Sequence, residues 1–320
     1  MTTTEFSNLA TITLEPVACC ICGRVDAQQV GVGEDFEYHT TAQSFLAVRC
    51  PDCGVVYLDP RPSLDDLPVI YPDSYHAFAF EAEQFGIVHT VRSRLEARRL
   101  LRAGRGLPAN ATVVDVGCGD GFHLDLLHRF GPSGWQLQGV DTDARAVAAA
   151  RRRGFTVHEH SVSDAPIEPG SVDMVLCIQT IEHVGDPVAV LAAIRTMLKP
   201  GGRLYLITDN TGSPDFALSK GRHWGGYHFP RHWNLFDKKS MRALAGAAGL
   251  EVDQLATTVS PVNWTYSVRN LLVDWGAPAW LYRQFSLEAA PALAVFTAFD
   301  ALMTLVGRGA LLRVILRRPR

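Results

Sequence analysis

A chain of 320 residues, 47% of them hydrophobic, is long enough and apolar enough to bury a sizeable core, which excludes a disordered or fibrous protein. Its formal net charge of -3 gives no electrostatic case for nucleic acid as a partner, and the arginine clusters at 92–105, 151–153 and 317–320 read as solvated helix faces or a tail. Met1 to Pro16 has no basic start followed by an apolar stretch and a cleavage site, so no secretory signal is expected and the cytoplasm is the expected location.

The first 75 residues are rich in Cys, Pro, Asp and Tyr and read as a small loop-and-strand module. Cys19-Cys20-Ile21-Cys22-Gly23 and Cys50-Pro51-Asp52-Cys53-Gly54 are two knuckles, and Cys19, Cys22, Cys50 and Cys53 are expected to share one tetrahedral zinc ion. With four protein thiolates no position stays open for water, so the ion's expected role is structural. The glycine after each pair suits a tight turn whose N–H groups point at the sulfurs, and Cys20 falls outside the spacing. The ribbon's flanks are acidic (Glu34, Asp35, Glu37) and aromatic rather than basic, which argues against nucleic acid here too.

Residues 76–109 form the expected link, with Val91, Leu95, Arg98 and Leu101 marking an amphipathic helix over 89–103 that Gly104 and Gly106 end. From Ala111, short apolar runs alternate with helical ones: strands at 112–116, 136–140, 155–158, 172–178 and 203–208, and helices at 122–130, 144–153 and 187–198. That alternation predicts βαβ units and a parallel sheet covered on both faces, over 110–259. A helix at 239–248 and a strand at 251–255 complete it; 260–309 is an insertion dense in Trp, Leu, Ala and Phe, and 310–320 holds a last strand and a basic tail.

The strand Val113-Val114-Asp115-Val116 delivers Gly117, Gly119 and Gly121 into a helix, so that backbone can approach a ligand at a helix N-terminus. Gly139-Val140-Asp141 then puts a carboxylate at the end of the next strand, about 20 residues on, where ribose hydroxyls can be taken. Nicotinamide folds share both features. The segments Ser161 to Pro166, Val172-Asp173-Met174-Val175, Gln179 to Val184 and Leu198-Lys199-Pro200-Gly201-Gly202 follow in order. Through them the chain, from Ala111 to about Leu255, resembles the class I S-adenosylmethionine-dependent methyltransferases.

The resemblance implies an α/β fold: a Rossmann-like seven-stranded sheet with its C-terminal strand reversed, here with a zinc-ribbon module in front and a helical insertion before the last strand. It implies S-adenosylmethionine as cofactor, with Asp115, Gly117, Cys118 and Gly119 beside its methionine part. Asp141 matches the ribose carboxylate, Thr142 its neighbour beside adenine, Ser161 and Val162 the adenine edge, and Gln179 the residue near the sulfonium. Cys50 to Pro62 with Ile70 to Tyr75 also resembles the zinc-ribbon leader of a bacterial subgroup, whose members often methylate sugars or other biosynthetic intermediates.

Methyl transfer to a hydroxyl or an acidic carbon needs a base near the acceptor atom, and His183, His228 and His232 are the candidates. Trp224, Tyr227 and Arg231 are expected to contact a small-molecule acceptor, Arg231 as an anchor for an anionic group. The expected reaction is methylation of an oxygen or carbon of a small intermediate, with a sugar or a lipid-linked compound in view. A non-catalytic binding protein and a nucleic-acid methyltransferase are the rival readings. The latter is disfavoured because Gln179-Thr180-Ile181-Glu182 stands where an Asn/Asp-Pro-Pro-Tyr/Phe motif would be. Pro291 and Asp300 interrupt the apolar run 289–306, so spanning a membrane is not expected. The insertion reads as a helical cap, a lid, a homodimer surface, or a peripheral membrane contact through 278–320 with Arg308, Arg313 and the basic tail beside headgroups.

Overall fold

The computed structural model describes residues 10–72, 75 and 86–320; the start of the chain, Asp73-Ser74 and the first part of the expected link lie outside them. Five short strands come first: β1 (Leu14–Glu15), β2 (Gln28–Gly33), β3 (Phe45–Arg49), β4 (Val56–Leu58) and β5 (Arg61–Pro62). β1 pairs with β5, and β2, β3 and β4 form an antiparallel sheet. A short helix α1 (Leu67–Ile70) follows, then the linking helix α2 (Gly86–Ala103), which starts three residues before the expected His89. The last carbonyl of α2 accepts a hydrogen bond from Arg203 Nη1 at 2.8 Å, which satisfies a helix end that would otherwise lack a partner.

The catalytic-type sheet is assembled from β6 (Thr112–Val116), α3 (Phe122–Phe130), β7 (Gln136–Asp141), α4 (Ala144–Arg152), β8 (Thr156–Glu159), β9 (Val172–Ile178), α5 (Pro187–Met197) and β10 (Leu198–Asp209). Then come α6 (Pro214–Ser219), β11 (Asn234–Leu235), α7 (Lys238–Ala247), β12 (Glu251–Thr258), α8 (Val262–Asp274), α9 (Ala279–Tyr282), α10 (Ala290–Leu305) and β13 (Leu311–Arg317). Seven strands lie in the order β12-β13-β10-β9-β6-β7-β8, parallel from β10 to β8, with β13 antiparallel to both its neighbours. This is the reversed last strand that the resemblance implies. The central strand β9, Val-Asp-Met-Val-Leu-Cys-Ile, is buried at all but its last residue, the near-continuous apolar run of a strand covered on both faces.

Local chemistry sets the helix starts. Asp143 caps α4 by accepting from the N–H groups of Arg145 and Ala146, Asp186 caps α5 ahead of Pro187, and Asp237 with Ser240 forms a capping box on α7. Most boundaries shift by a residue or a few, and the largest change is at β10, which Leu198 opens rather than closing α5. Pro200 cannot continue a helix, and Gly201 at φ +78° forms a bulge that shifts the register between Leu198 and Arg203.

β11, from the segment between α6 and α7, pairs with β4 and becomes the fourth strand of the N-terminal sheet. The leader and the seven-stranded sheet are therefore sewn together by residues from the middle of the chain. Cys19, Cys50, Cys53 and Tyr57 share one apolar cluster with Val114, Val175, Phe236 and Met241.

Among the described residues no helix is long and apolar enough to cross a membrane. In α10 the one buried residue is Asp300, while Val295, Leu302 and Leu305 are exposed. The Asp300 carboxylate accepts from Ser260 N at 2.9 Å and from Ala310 N at 3.0 Å, so it ties together the two ends of the insertion. The tail arginines are engaged within the fold: Arg317 pairs with Asp253 at 3.0 Å, and Arg318 Nη1 donates to Leu198 O at 2.6 Å. Asp300→Ala leaves two buried N–H groups without acceptors and is expected to lower stability by about 1–3 kcal/mol, read from urea unfolding. An unchanged midpoint would show that the insertion does not depend on this tie.

Candidate active site

Three glycines in the left-handed region shape the turn after β6: Gly117 at φ +72°, Gly119 at +55° and Gly121 at +82°. At Gly117 a side chain is excluded twice over, since a Cβ there would lie 2.3 Å from Thr180 Oγ1. The turn is thus in direct contact with the loop that follows β9. Its backbone is pinned from below, with Gly117 N and Cys118 N donating to Val140 O at 2.8 and 3.3 Å. Asp141, at the end of β7, accepts from Gly119 N and from Asp143 N, each at 2.9 Å, and burial pushes its carboxyl up against those two hydrogen bonds.

Asp115 is fully buried under the turn, and neither of its carboxylate oxygens has a hydrogen-bond partner among the described residues. His123 Nδ1 lies 3.6 Å from Oδ2, beyond hydrogen-bond distance; a carboxylate without a hydrogen bond beside a glycine turn fits a ligand that brings its own donors, as the ammonium and hydroxyls of S-adenosylmethionine do. The Cys118 side chain is buried with its sulfur packed against Gly139, so only its backbone faces the turn. Thr142 directly follows Asp141. Ser161 Oγ donates to Asp164 at 2.6 Å, and Val162 packs against the main core. Gln179 leaves β9 at φ +50°, its N–H donating to Ile207 O at 2.9 Å.

On the other side of the β9 loop stand the three histidines. Trp233 N and Asn234 N both donate to Glu182 O, at 2.7 and 3.1 Å, which lays the segment before β11 across the Glu182-His183 turn. Ring centroids of His183 and His232 are 4.6 Å apart, and those of His232 and His228 5.0 Å. His232 Nδ1 donates to Gly226 O at 2.9 Å, and burial together with the two neighbouring imidazoles holds its pKa well below the ordinary value, so the ring is neutral. His228, at φ +41°, directs Nδ1 to Glu37 Oε2 at 2.6 Å. Tyr71 OH meets His183 Nδ1 at 2.9 Å, and the rings of Tyr38 and Tyr75 each lie 5.9 Å from His228. Glu182 and Asp209 are fully buried beneath; burial pushes both carboxyls up, helped by Asp209 at Glu182 and by Asp215 at Asp209.

Three expected acceptor contacts have a different place. Trp224 is 1% exposed, with Nε1 donating to Asp215 at 2.7 Å, and Tyr227 is equally buried, with its hydroxyl donating to Lys220 O at 2.6 Å. Arg231 is wholly buried, its Nη2 on Asp35 at 2.9 Å and its guanidinium 4.4 Å from the Tyr38 ring centroid. The Trp224 and Tyr227 polar atoms are taken up inside the fold and both Nη atoms of Arg231 are committed to Asp35 and Phe229 O, while its buried Nε has no hydrogen-bond partner among the described residues. Conversely, Glu37, Tyr71, Glu182 and Asp209 were not expected as site residues. The one sequence signal was charge: Glu34, Asp35 and Glu37 pair in turn with Arg222, Arg231 and His228.

Cys19, Cys22, Cys50 and Cys53 converge in the leader, with Sγ atoms 3.5 Å apart for Cys19 and Cys53, 3.4 Å for Cys22 and Cys50, and all four within 4.8 Å. A zinc–sulfur bond of about 2.3 Å sets tetrahedral sulfur edges of about 3.8 Å, so the cluster has the size for one ion. The N–H groups of Gly23 and Gly54 close the two turns by donating to the carbonyls of Cys19 and Cys50, and those of Arg24, Asp52, Cys53 and Val55 face the sulfurs, as the knuckle turns suggested. Cys20 stands outside the cluster, its thiol pushed up to about 12 by burial.

A reversed seventh strand, a glycine turn closed by a strand-end carboxylate, and a cluster of histidines beyond the next strand are the features of an S-adenosylmethionine-dependent methyltransferase. The family model described as a methyltransferase domain matches residues 87–255, and the chain belongs to that family. It is 29% identical over 173 residues to the ubiquinone biosynthesis O-methyltransferase of Cupriavidus pinatubonensis, covering 50% of this chain and 68% of that protein. With the corresponding protein of Xanthomonas euvesicatoria pv. vesicatoria identity is 40% over 118 residues, 35% of this chain and about half (48%) of the relative. A solved geranyl diphosphate methyltransferase in complex with S-adenosylmethionine superposes with a TM-score of 0.51 at 18% identity, covering 77% of this chain and 95% of that one, a likeness of fold.

The Asp35–Arg231 pair yields a stability prediction. Burial raises the Asp35 carboxyl, but Arg231 and the N–H groups of Thr40 and Tyr38 outweigh it and hold the group down at about 2. With an unfolded value of about 3.9, the pair's contribution is complete above about pH 4 and lost as pH falls towards 2. Arg231→Ala, which strands a buried carboxylate, is expected to cost about 3–5 kcal/mol at neutral pH in chemical denaturation. Asp35→Asn should flatten the acid limb of the stability curve; an unaltered limb would assign acid unfolding to other carboxylates.

Proposed function

We propose that this methyltransferase acts on a hydroxyl oxygen of a small biosynthetic intermediate, with His228 as the base that takes the hydroxyl proton. The observation that carries this reading is the His228–Glu37 pair. Because Nδ1–H donates to Glu37, Nε2 is the proton-accepting nitrogen of the neutral ring, and the Glu37 carboxylate stabilises the imidazolium that forms. The O-methyltransferase names of the relatives favour oxygen over carbon as the acceptor atom. When bound, S-adenosylmethionine supplies an electrophilic methyl carbon on a sulfonium. The chain's own residues hold the partners in line: Asp141 is assigned to the ribose hydroxyls, with Thr142, Ser161 and Val162 around adenine, and Asp115 and the 117–119 turn beside the methionine part. Gln179 stands between that turn and the histidines. Tyr38, Tyr71 and Tyr75 supply aromatic walls near His228 and His183, which suits a flat or cyclic acceptor.

The cysteine cluster is assigned one structural zinc ion, whose place beside β4 and α7 supports the sheet that carries the histidine segment. Lys239 Nζ, on α7, donates to Asp52 O at 2.7 Å within the second knuckle.

Asp141→Ala is expected to weaken S-adenosylhomocysteine binding by about ten-fold or more, since it removes both ligand oxygens and the support of Gly119, as read by calorimetry. His228→Ala should keep that binding while lowering turnover by about 10²–10⁴-fold. Unchanged turnover with a candidate phenolic or sugar hydroxyl would remove His228 from the base role. Purified protein is expected to hold one zinc per chain by elemental analysis, and Cys50→Ser together with Cys53→Ser should abolish it; full zinc content in that variant would refute the assignment.

A further inference from the structure

We propose that Glu182, His183 and His232 form a site for one divalent first-row metal ion, distinct from the cysteine cluster and placed to take the acceptor's oxygen as a ligand. One donor atom from each of the three residues lies within 4.8 Å of the other two, a span that a single ion with bonds of about 2.0–2.2 Å can bridge. Two imidazoles and one carboxylate leave further coordination positions for exogenous oxygen ligands.

The surrounding hydrogen bonds select the donor atoms. His232 Nδ1 must donate, because Gly226 O can only accept, so Nε2 carries the lone pair. His183 Nδ1 lies 2.9 Å from Tyr71 OH, which can accept from Nδ1–H, the tautomer that leaves Nε2 for the ion. Glu182 Oε2 accepts from Thr208 Oγ1 at 2.8 Å, while its fully buried Oε1 has no hydrogen-bond partner among the described residues. Each ligand is thus oriented from behind by a second group, the arrangement that fixes tautomer and direction at metal centres.

Charge supplies an independent reason. Glu182 and Asp209 are both fully buried, and the hydrogen bonds and ion pairs of the described residues bring no lysine or arginine to either. Arg231, the nearby buried cation, is committed to Asp35. A divalent ion against Glu182 offsets the cost of keeping carboxylates away from water. The proposal's catalytic consequence rests on the O-methylation reading: a hydroxyl bound to the ion is more acidic, its proton passes to His228, and the oxygen is held for attack on the methyl carbon.

Mn2+ is the probe, because nitrogen and oxygen donors suit it and thiolates do not. Full-length protein whose zinc content has been measured is titrated with Mn2+ and free ion is followed by electron paramagnetic resonance. One saturable ion per chain is expected, with affinity about ten-fold or more lower in Glu182→Gln and in His232→Ala, while S-adenosylhomocysteine binding stays intact as the check on folding. In the unmodified protein, pulsed resonance on bound Mn2+ should detect imidazole nitrogen. Absence of saturable binding, absence of nitrogen coupling, or equal affinity in the folded variants would overturn the site. Turnover that survives chelation with the His228 dependence intact would sink the metal while sparing the base assignment; the reverse pattern would sink the base alone.

Discussion

A single buried ion pair holds the two parts of this protein in the relation its chemistry needs. Arg231 and Asp35 are separated by nearly two hundred residues, each is almost wholly excluded from water, and each is the other's counter-charge. Taking two such groups out of water costs free energy, which the close two-point contact of Nη1 and Nη2 with the Asp35 oxygens offsets. The pair therefore tolerates little displacement. Since Arg231 lies between His228 and His232 in the chain, anchoring it to Asp35 ties the backbone that carries both histidines to the leader, and Glu37 of the leader reaches the His228 ring.

Backbone pairing reinforces the same junction. β11 adds itself to the leader's sheet, while the residues just before it hydrogen-bond to the carbonyl of Glu182 in the methyltransferase loop. The segment from Gly221 to Phe236 is a bridge with one rail on each body. Its aromatic residues, Trp224, Tyr227, Phe229 and Trp233, share one apolar cluster with the leader, and Phe229 stacks on the leader's Phe45. Their abundance reflects packing demand at a junction, and the polar tips find partners inside the protein.

That division explains what could be read in advance. The alternation of strands and helices and the glycine turn follow from local signals, apolar runs of strand length and glycines where the chain must approach a ligand closely, while the reversed last strand was implied by the family resemblance and the strand order came from the structure. The four-cysteine cluster was legible because knuckle spacing brings sulfurs together by short-range geometry. The histidines were legible as candidates, because they sit after strand ends where open α/β sheets bind ligands. Their partners were not. Glu37, Tyr71 and Asp209 reach the histidines from three separate regions of the chain, and no periodicity links them.

Arg231 shows why residue type misleads at such positions. An arginine in an aromatic loop has the right chemistry for an anionic substrate, and only the discovery of Asp35 beside it reveals that its charge is already spent. Asp300 is the converse case, a charge interrupting an apolar helix that turns out to close the insertion on itself. By itself the sequence determined the methyltransferase sheet, its cofactor turn and the cysteine cluster, because these depend on short-range geometry and on patterning along one strand or helix. The tertiary structure decided which polar groups face a ligand and which face each other, because desolvation and charge pairing are set by residues that meet only when distant segments pack.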